Sequence, residues 1–271
     1  MTEAENIKEV VRDKYAQIVL QSETDTKASC CDSTCCGPSD SFEFSVMNDD
    51  YTKLEGYVPD ADLNLGCGMP TELAGIKEGN TVVDLGSGAG NDVFISRSIV
   101  GETGNVIGID FTPEMISKAK TNNEKLGYNN VTFHLGEIEQ IPLDNSIADV
   151  VVSNCVLNLV PDKSKAFSEI FRILKPGAHF CVSDIVLIGS LPEKLKKSAE
   201  VYAGCVAGAL QQEDYLNTIR NAGFTNVEIK KTKTIKLPDS LLRDYLSEQE
   251  TIDFKKSDMG IFSITVVGYK D

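Results

Sequence analysis

The chain has 271 residues, 41% of them hydrophobic, with a formal charge of -15 and a pI near 4.6. That length allows one large domain, or one domain with a small appendage. The acidic surface repels phosphate backbones and anionic bilayers, and no apolar run approaches the ~20 residues of a membrane span, so neither nucleic acid nor membrane is an expected partner.

Residues 1–20 carry Ile7, Val10, Val11, Ile18 and Val19 on a rough stripe, which predicts an amphipathic helix. This polar start has no apolar signal core, and a cytoplasmic protein is expected. Residues 21–45, with QSETDTKASCCDSTCCGPSDS, have little to bury and read as a mobile loop. Residues 48–76 read as irregular to helical and contain NLGCGMP. From residue 80 the pattern is regular. Strands are predicted at TVVDL, NVIGID, VTFHLG, IADVVVSN and AHFCVSDIVLI. Between them lie the helices NDVFISRSIV, TPEMISKAKTNNEKLG (capped by Thr112, with Pro113 first) and PDKSKAFSEIFRILKPG, closed by Lys175, Pro176 and Gly177. This alternation implies a parallel sheet with helices on both faces. Residues 192–210 look helical and interrupt it, as a lid would. EDYLNTIRNAG then predicts a helix, and NVEIKKTKTI and GIFSITVVGYK predict the last strands.

DLGSGAG, Asp84 to Gly90, follows the first strand and opens a helix. Its glycines permit a sharp turn and close approach to a ligand, and the helix amides point that way. Asp84 inside the turn would repel a pyrophosphate but attract a cationic amino-acid group. Asp110 ends the next strand, where it can take two ribose hydroxyls. Together these residues resemble the nucleotide-binding pattern of class I S-adenosylmethionine methyltransferases. The resemblance implies cofactor contacts from Asp84, Gly86, Ser87, Gly88, Gly90, Asp110, Phe111, Met115 and Asn154. It also places Glu137 against adenine, Ile138 on the ring face, and Asn154 and Cys155 facing the methyl donor.

Eight cysteines need explaining in a reducing compartment. Cys181, inside an apolar strand, reads as core. Cys67, Cys155 and Cys205 sit instead in small-residue surroundings outside strand interiors. Cys30, Cys31, Cys35 and Cys36 have a CCxxxCC spacing that does not match zinc ligands; the loop is either a capture or electron-shuttling device or a thiol tail of secondary importance. His134 and His179 both lie in strand-like segments and read as structural, so no general base is obvious.

In order, NLGCGMP, DLGSGAG, IGIDFTPEMI, SNCVLNLVPDK and YAGCVAGAL resemble the microbial arsenite methyltransferases, over about residues 57–230. The resemblance implies a class I, Rossmann-like α/β fold with an N-terminal extension and a C-terminal arsenic-binding region. It implies As(III) bound by Cys67, Cys155 and Cys205, methylated from S-adenosylmethionine, with arsenite the small-molecule substrate and detoxification the role. It also implies an external thiol reductant such as thioredoxin or glutathione, with Cys67 the redox participant. A monomer is expected, with residues 1–79 capping the cofactor, 80–188 forming the cofactor core and 189–271 supplying the lid and closing the sheet. Two rivals stay open on the same residues: a quinone-type carbon methyltransferase, since fold does not fix substrate, and a thiol-based metalloid-binding protein without methyl transfer.

Overall fold

The computed structural model describes residues 3–25, 49–190, 208–237, 239–257 and 259–271. Seven strands form one sheet: β1 Thr81–Leu85, β2 Asn105–Asp110, β3 Val131–Leu135, β4 Ala148–Asn154, β5 Leu174–Ile188, β6 Thr225–Thr234 and β7 Gly260–Tyr269, in the order β3-β2-β1-β4-β5-β7-β6. The first five run parallel, and β7 pairs antiparallel with both β5 and β6. The sheet is therefore mixed, not wholly parallel as the alternation alone predicts. A parallel pair needs a long crossover, usually a helix, and helices join β1 to β2, β2 to β3 and β4 to β5; the last two strands are free of that demand.

The helices are α1 Glu3–Asp25, α2 Pro70–Leu73, α3 Asn91–Val100, α4 Pro113–Leu126, α5 Lys163–Ile173, α6 Gln212–Asn221, α7 Asp239–Tyr245 and α8 Glu248–Lys256. One apolar core, including Phe167, Ile170 and Tyr215, packs α5 and α6 on one face of the sheet. Another, including Phe94, Ala119 and Phe133, packs α3 and α4 on the other. Because β1 and β4 are covered on both faces, their residues 82–85 and 150–153 are buried without alternation.

Several elements depart from expectation. Helix α1 runs on to Asp25, and Val10 is 61% exposed while Val19 is buried, so the stripe is narrower than predicted. Helix α5 stops at Ile173, because Pro176 holds Lys175 extended. Lys175, Pro176 and Gly177 instead form an irregularity in β5: Ala148 pairs with Leu174 but Val150 pairs with His179. Helices α7 and α8 were not expected. The Cys30–Cys36 cluster, Cys205 and most of the predicted lid lie outside the described residues.

Candidate active site

Chain reversal between β1 and β4 opens a crevice at the strands' carboxyl ends, where open α/β sheets bind ligands. The DLGSGAG turn forms its floor. Gly86 has a φ of +74°, and a Cβ there would lie 2.4 Å from Cγ2 of Val156, so no other residue fits. The backbone N–H groups of Gly86 and Ser87 donate to the Ile109 carbonyl (2.8 and 3.0 Å), and that of Gly88 donates to Oδ2 of Asp110 (3.0 Å). These three amides of the turn are spent pinning it to β2. Of the eleven residues predicted to hold a cofactor, all but Gly90 line the pocket. Gly90 instead sits against the Phe94 ring, 2.7 Å from the position its Cβ would take.

The pocket is lined with buried carboxylates. Burial pushes Asp84 well above the usual carboxylate range, and the neighbouring charges of Asp92 and Asp110 push it further. Burial also raises Asp92, to about 6, against hydrogen bonds from Asn154, Thr71 and Tyr51 that lower it. Asp110 is raised by burial, opposed by backbone amides of Thr112 and Gly88. Ser87 Oγ and Asn91 Oδ1 are buried beside these groups with no protein partner. A cationic ligand with hydrogen-bonding groups suits such a lining: it relieves the crowding of negative charge and satisfies the orphaned atoms. Over the mouth, Lys8 of α1 pairs with Glu137 (2.7 Å) and with Glu139, and Ile138 between them is buried.

Cys155 is the residue where pocket and thiols meet. It lines the pocket and belongs to a buried cluster with Cys67, Ile185, Leu237, Leu242 and Ile261. Its φ is +61°, a left-handed conformation that costs a side-chain-bearing residue about 1–2 kcal/mol. A backbone hydrogen bond to the Ser183 carbonyl (2.7 Å) holds it there. Cys67 arrives from a different segment. Its flanking glycines are crowded: a Cβ on Gly66 would lie 2.8 Å from Asn154 Nδ2, and one on Gly68 would lie 2.5 Å from Ser183 Oγ. Asn154 Oδ1 accepts from the N–H groups of Cys67 (3.1 Å) and Gly68 (3.3 Å), and Ser263 Oγ donates to the Cys67 carbonyl (2.7 Å). Two thiols from distant segments thus share one apolar cluster. The chain re-enters the described residues at Gly208, three positions after Cys205. A Cβ on Gly208 would overlap the Asn158 carbonyl, so this backbone crosses close over the turn that follows Cys155. Cys181 is core as expected, its thiol pushed up to about 12 mainly by burial.

Beside the thiols lies another buried carboxyl. Burial raises Asp184 to about 7, although Tyr215 donates to it (3.0 Å) and the Lys163 charge favours its anion.

A methyltransferase-domain model matches residues 76–223. The chain is 40% identical over 237 residues to an arsenite methyltransferase from Halobacterium salinarum, covering 83% of this chain and 59% of that protein. It is 35% identical over 190 residues to one from Aquipseudomonas alcaligenes, covering 68% and 54%. The solved structure of an arsenic (III) S-adenosylmethionine methyltransferase from Chlamydomonas reinhardtii matches with a TM-score of 0.64 at 33% identity, covering 87% of this chain and 75% of that one. This chain belongs to the arsenite methyltransferase family. It spans somewhat more than half the length of the two curated relatives.

Within that family frame, sequence reading missed Asp92, Tyr51 and Lys8. Asp92 had a usable signal: it stands in the first turn of the helix that the glycine turn opens, where a carboxylate is favoured. Tyr51 and Lys8 had none, since each reaches the site through contacts far apart in the chain.

Proposed function

We propose that this member of the family transfers methyl groups from S-adenosylmethionine to As(III) held by Cys67, Cys155 and Cys205, as part of arsenic detoxification. The observation that carries the reading is the position of Cys155, one wall of an acidic pocket and also a member of a buried cluster with Cys67. Asp84, Asp92 and Asp110 suit a cationic methyl donor, and the glycine turn leaves room for it. The cofactor supplies an activated methyl group on a sulfonium.

The thiols supply the rest. Trivalent arsenic is soft and thiophilic, and three thiolates neutralise it, so no net charge is buried among Ile185, Leu237 and Ile261. Bound this way, arsenic keeps a lone pair that forms the As–C bond as the methyl group's bond to the donor sulfur breaks, the pair of that bond staying on the sulfur, which departs as a neutral thioether. The arsenic carries no proton there, so no general base is required, in keeping with a chain whose His179 is held by the Ala74 carbonyl (2.6 Å) and the Tyr269 ring. Methylation oxidises arsenic by two electrons. An external thiolate, from thioredoxin or glutathione, then attacks the Cys67 sulfur. The As–S bonding pair stays on arsenic and restores the trivalent state, while Cys67 leaves as a mixed disulfide that further thiol reduces. Cys155 and Cys205 retain the product for another round.

Purified chain with labelled S-adenosylmethionine, arsenite and a reducing thiol should yield methylarsenicals. Cys155→Ser should lose more than about a hundredfold in that rate while still binding cofactor. Cofactor turnover that yields no methylarsenical and survives Cys155→Ser and Cys205→Ser favours a quinone-type carbon methyltransferase; arsenite binding without product favours a metalloid-binding protein.

A further inference from the structure

The loop that carries Cys67 is also a wall of the cofactor pocket. Leu63, Leu65 and Gly66 line the pocket, while Cys67 itself is fully buried in the thiol cluster. Anything that orders this wall therefore sets the sulfur behind it.

A small buried network does the ordering. Asn154 Oδ1 accepts the two N–H groups of Cys67 and Gly68, which turns its amide nitrogen towards acceptors. Nδ2 then stands within reach of three acceptors, the Gly68 carbonyl (2.8 Å), the Tyr51 oxygen (2.6 Å) and Oδ2 of Asp92 (3.1 Å), which share its two hydrogens. The Tyr51 hydroxyl donates to the same Gly68 carbonyl (2.6 Å) and stands 3.4 Å from both Asp92 oxygens. Tyr51 is 2% exposed, so water is poorly placed to replace it. Buried chains of this kind polarise one another, and loss of one member weakens the rest. Tyr51, Gly66, Asp92 and Asn154 all line the cofactor pocket. A cation in the pocket favours ionised Asp92, and hydrogen bonds to an ionised acceptor are stronger.

We propose that Tyr51 is a positioning residue that couples the two sites: cofactor occupancy tightens the Tyr51–Asn154 latch on Gly68 and thereby sets Cys67 for arsenic. The coupling is reciprocal, so bound arsenic tightens cofactor binding by the same factor. This rests on the arsenite-methylation reading and adds to it an order of assembly.

The test uses the full chain and sinefungin, a cationic analogue that transfers no methyl group. Arsenite affinity is measured by calorimetry with and without saturating sinefungin. Wild type should bind arsenite about tenfold more tightly with the analogue present. In Tyr51→Phe that ratio should fall to within about twofold of unity, with sinefungin affinity within about threefold of wild type. In arsenite-loaded Tyr51→Phe the sinefungin affinity should fall by the same factor as the arsenite affinity while that of the arsenite-free protein stays, a pattern that general destabilisation does not produce. Amide exchange at Cys67 and Gly68 in the unmodified protein gives an independent reading, and should slow on adding sinefungin. Tyr51→Phe that keeps the wild-type ratio, or exchange at Cys67 and Gly68 that ignores the analogue, overturns the inference alone. Wild type that binds no arsenite overturns the methylation reading and takes this inference with it.

Discussion

The cofactor half and the thiol half of the site are built by opposite means. The cofactor half is assembled from consecutive strand ends, each followed by a short turn: Asp84 to Gly88 after β1, Asp110 to Thr112 after β2, Gly136 to Ile138 after β3. The thiol half gathers residues far apart in sequence, with Cys67, Cys155, Ile235, Leu246 and Ile261 in one cluster. Their carboxylates differ as well. Asp84 and Asp92 face a pocket, are both raised by burial, and the Asp92 charge pushes Asp84 further up, whereas Asp184 is met by Tyr215 and Lys163. The first half is arranged to receive a charge. The second excludes water and suits a ligand whose charge is cancelled by its own bonds.

Two alanine substitutions should break the halves apart. Gly68→Ala places a Cβ within 2.5–2.7 Å of the Ser183 side chain and must displace the Cys67 loop. Methyl transfer to arsenite should fall about a hundredfold, the order that a misplaced reacting group costs, a much larger loss than that in cofactor affinity by titration. Gly86→Ala combines a φ of +74° with overlap on Val156. It should weaken cofactor binding by at least about tenfold, yet leave arsenite binding without cofactor intact. If both variants lose both functions equally, the distinction is void.

The next effect is smaller and sharpens the electrostatic contrast. Asp92 is raised to about 6, and a cationic cofactor prefers its anion, so cofactor affinity should fall as pH drops through that value. A single group there gives roughly a fourfold loss between pH 7.5 and 5.5. Cofactor titrations at those two pH values measure it; a flat profile would mean that the pocket carboxylates do not sense the ligand's charge. The smallest change expected is at the rim. Lys8 holds Glu137 and Glu139 but is 27% exposed, so Lys8→Ala should weaken the cofactor by less than about threefold, and less again in high salt.

The same contrast explains what could be read from sequence. The strands β1 to β5 and the glycine turn were legible because each depends on local patterning and on residues adjacent in the chain. Even there, local signals misled at Lys175–Gly177, where Pro176 ended the helix early and the residues joined β5. Helices α7 and α8 were missed because their segment is mostly polar, eight of its eighteen residues being charged, with Leu242 and Leu246 as its few deeply buried anchors. Cys67 and Cys155 were legible only as motifs. That they share a cluster depends on Asn154, Ser183 and Ser263, side chains whose partners no periodicity reveals. Tyr51 lies in a stretch that reads as irregular to helical, and nothing near it in sequence announces its bonds to Gly68 and Asn154.

The left-handed backbone at Cys155 has an outcome for anyone engineering this chain. Glycine adopts that conformation without penalty, so replacing the cysteine by glycine removes backbone strain at the very spot where the proposed chemistry needs sulfur. Selection for thermal robustness alone would drift towards a hardier, inert molecule. A library ranked by melting temperature should therefore be counter-screened for turnover at this position before any other.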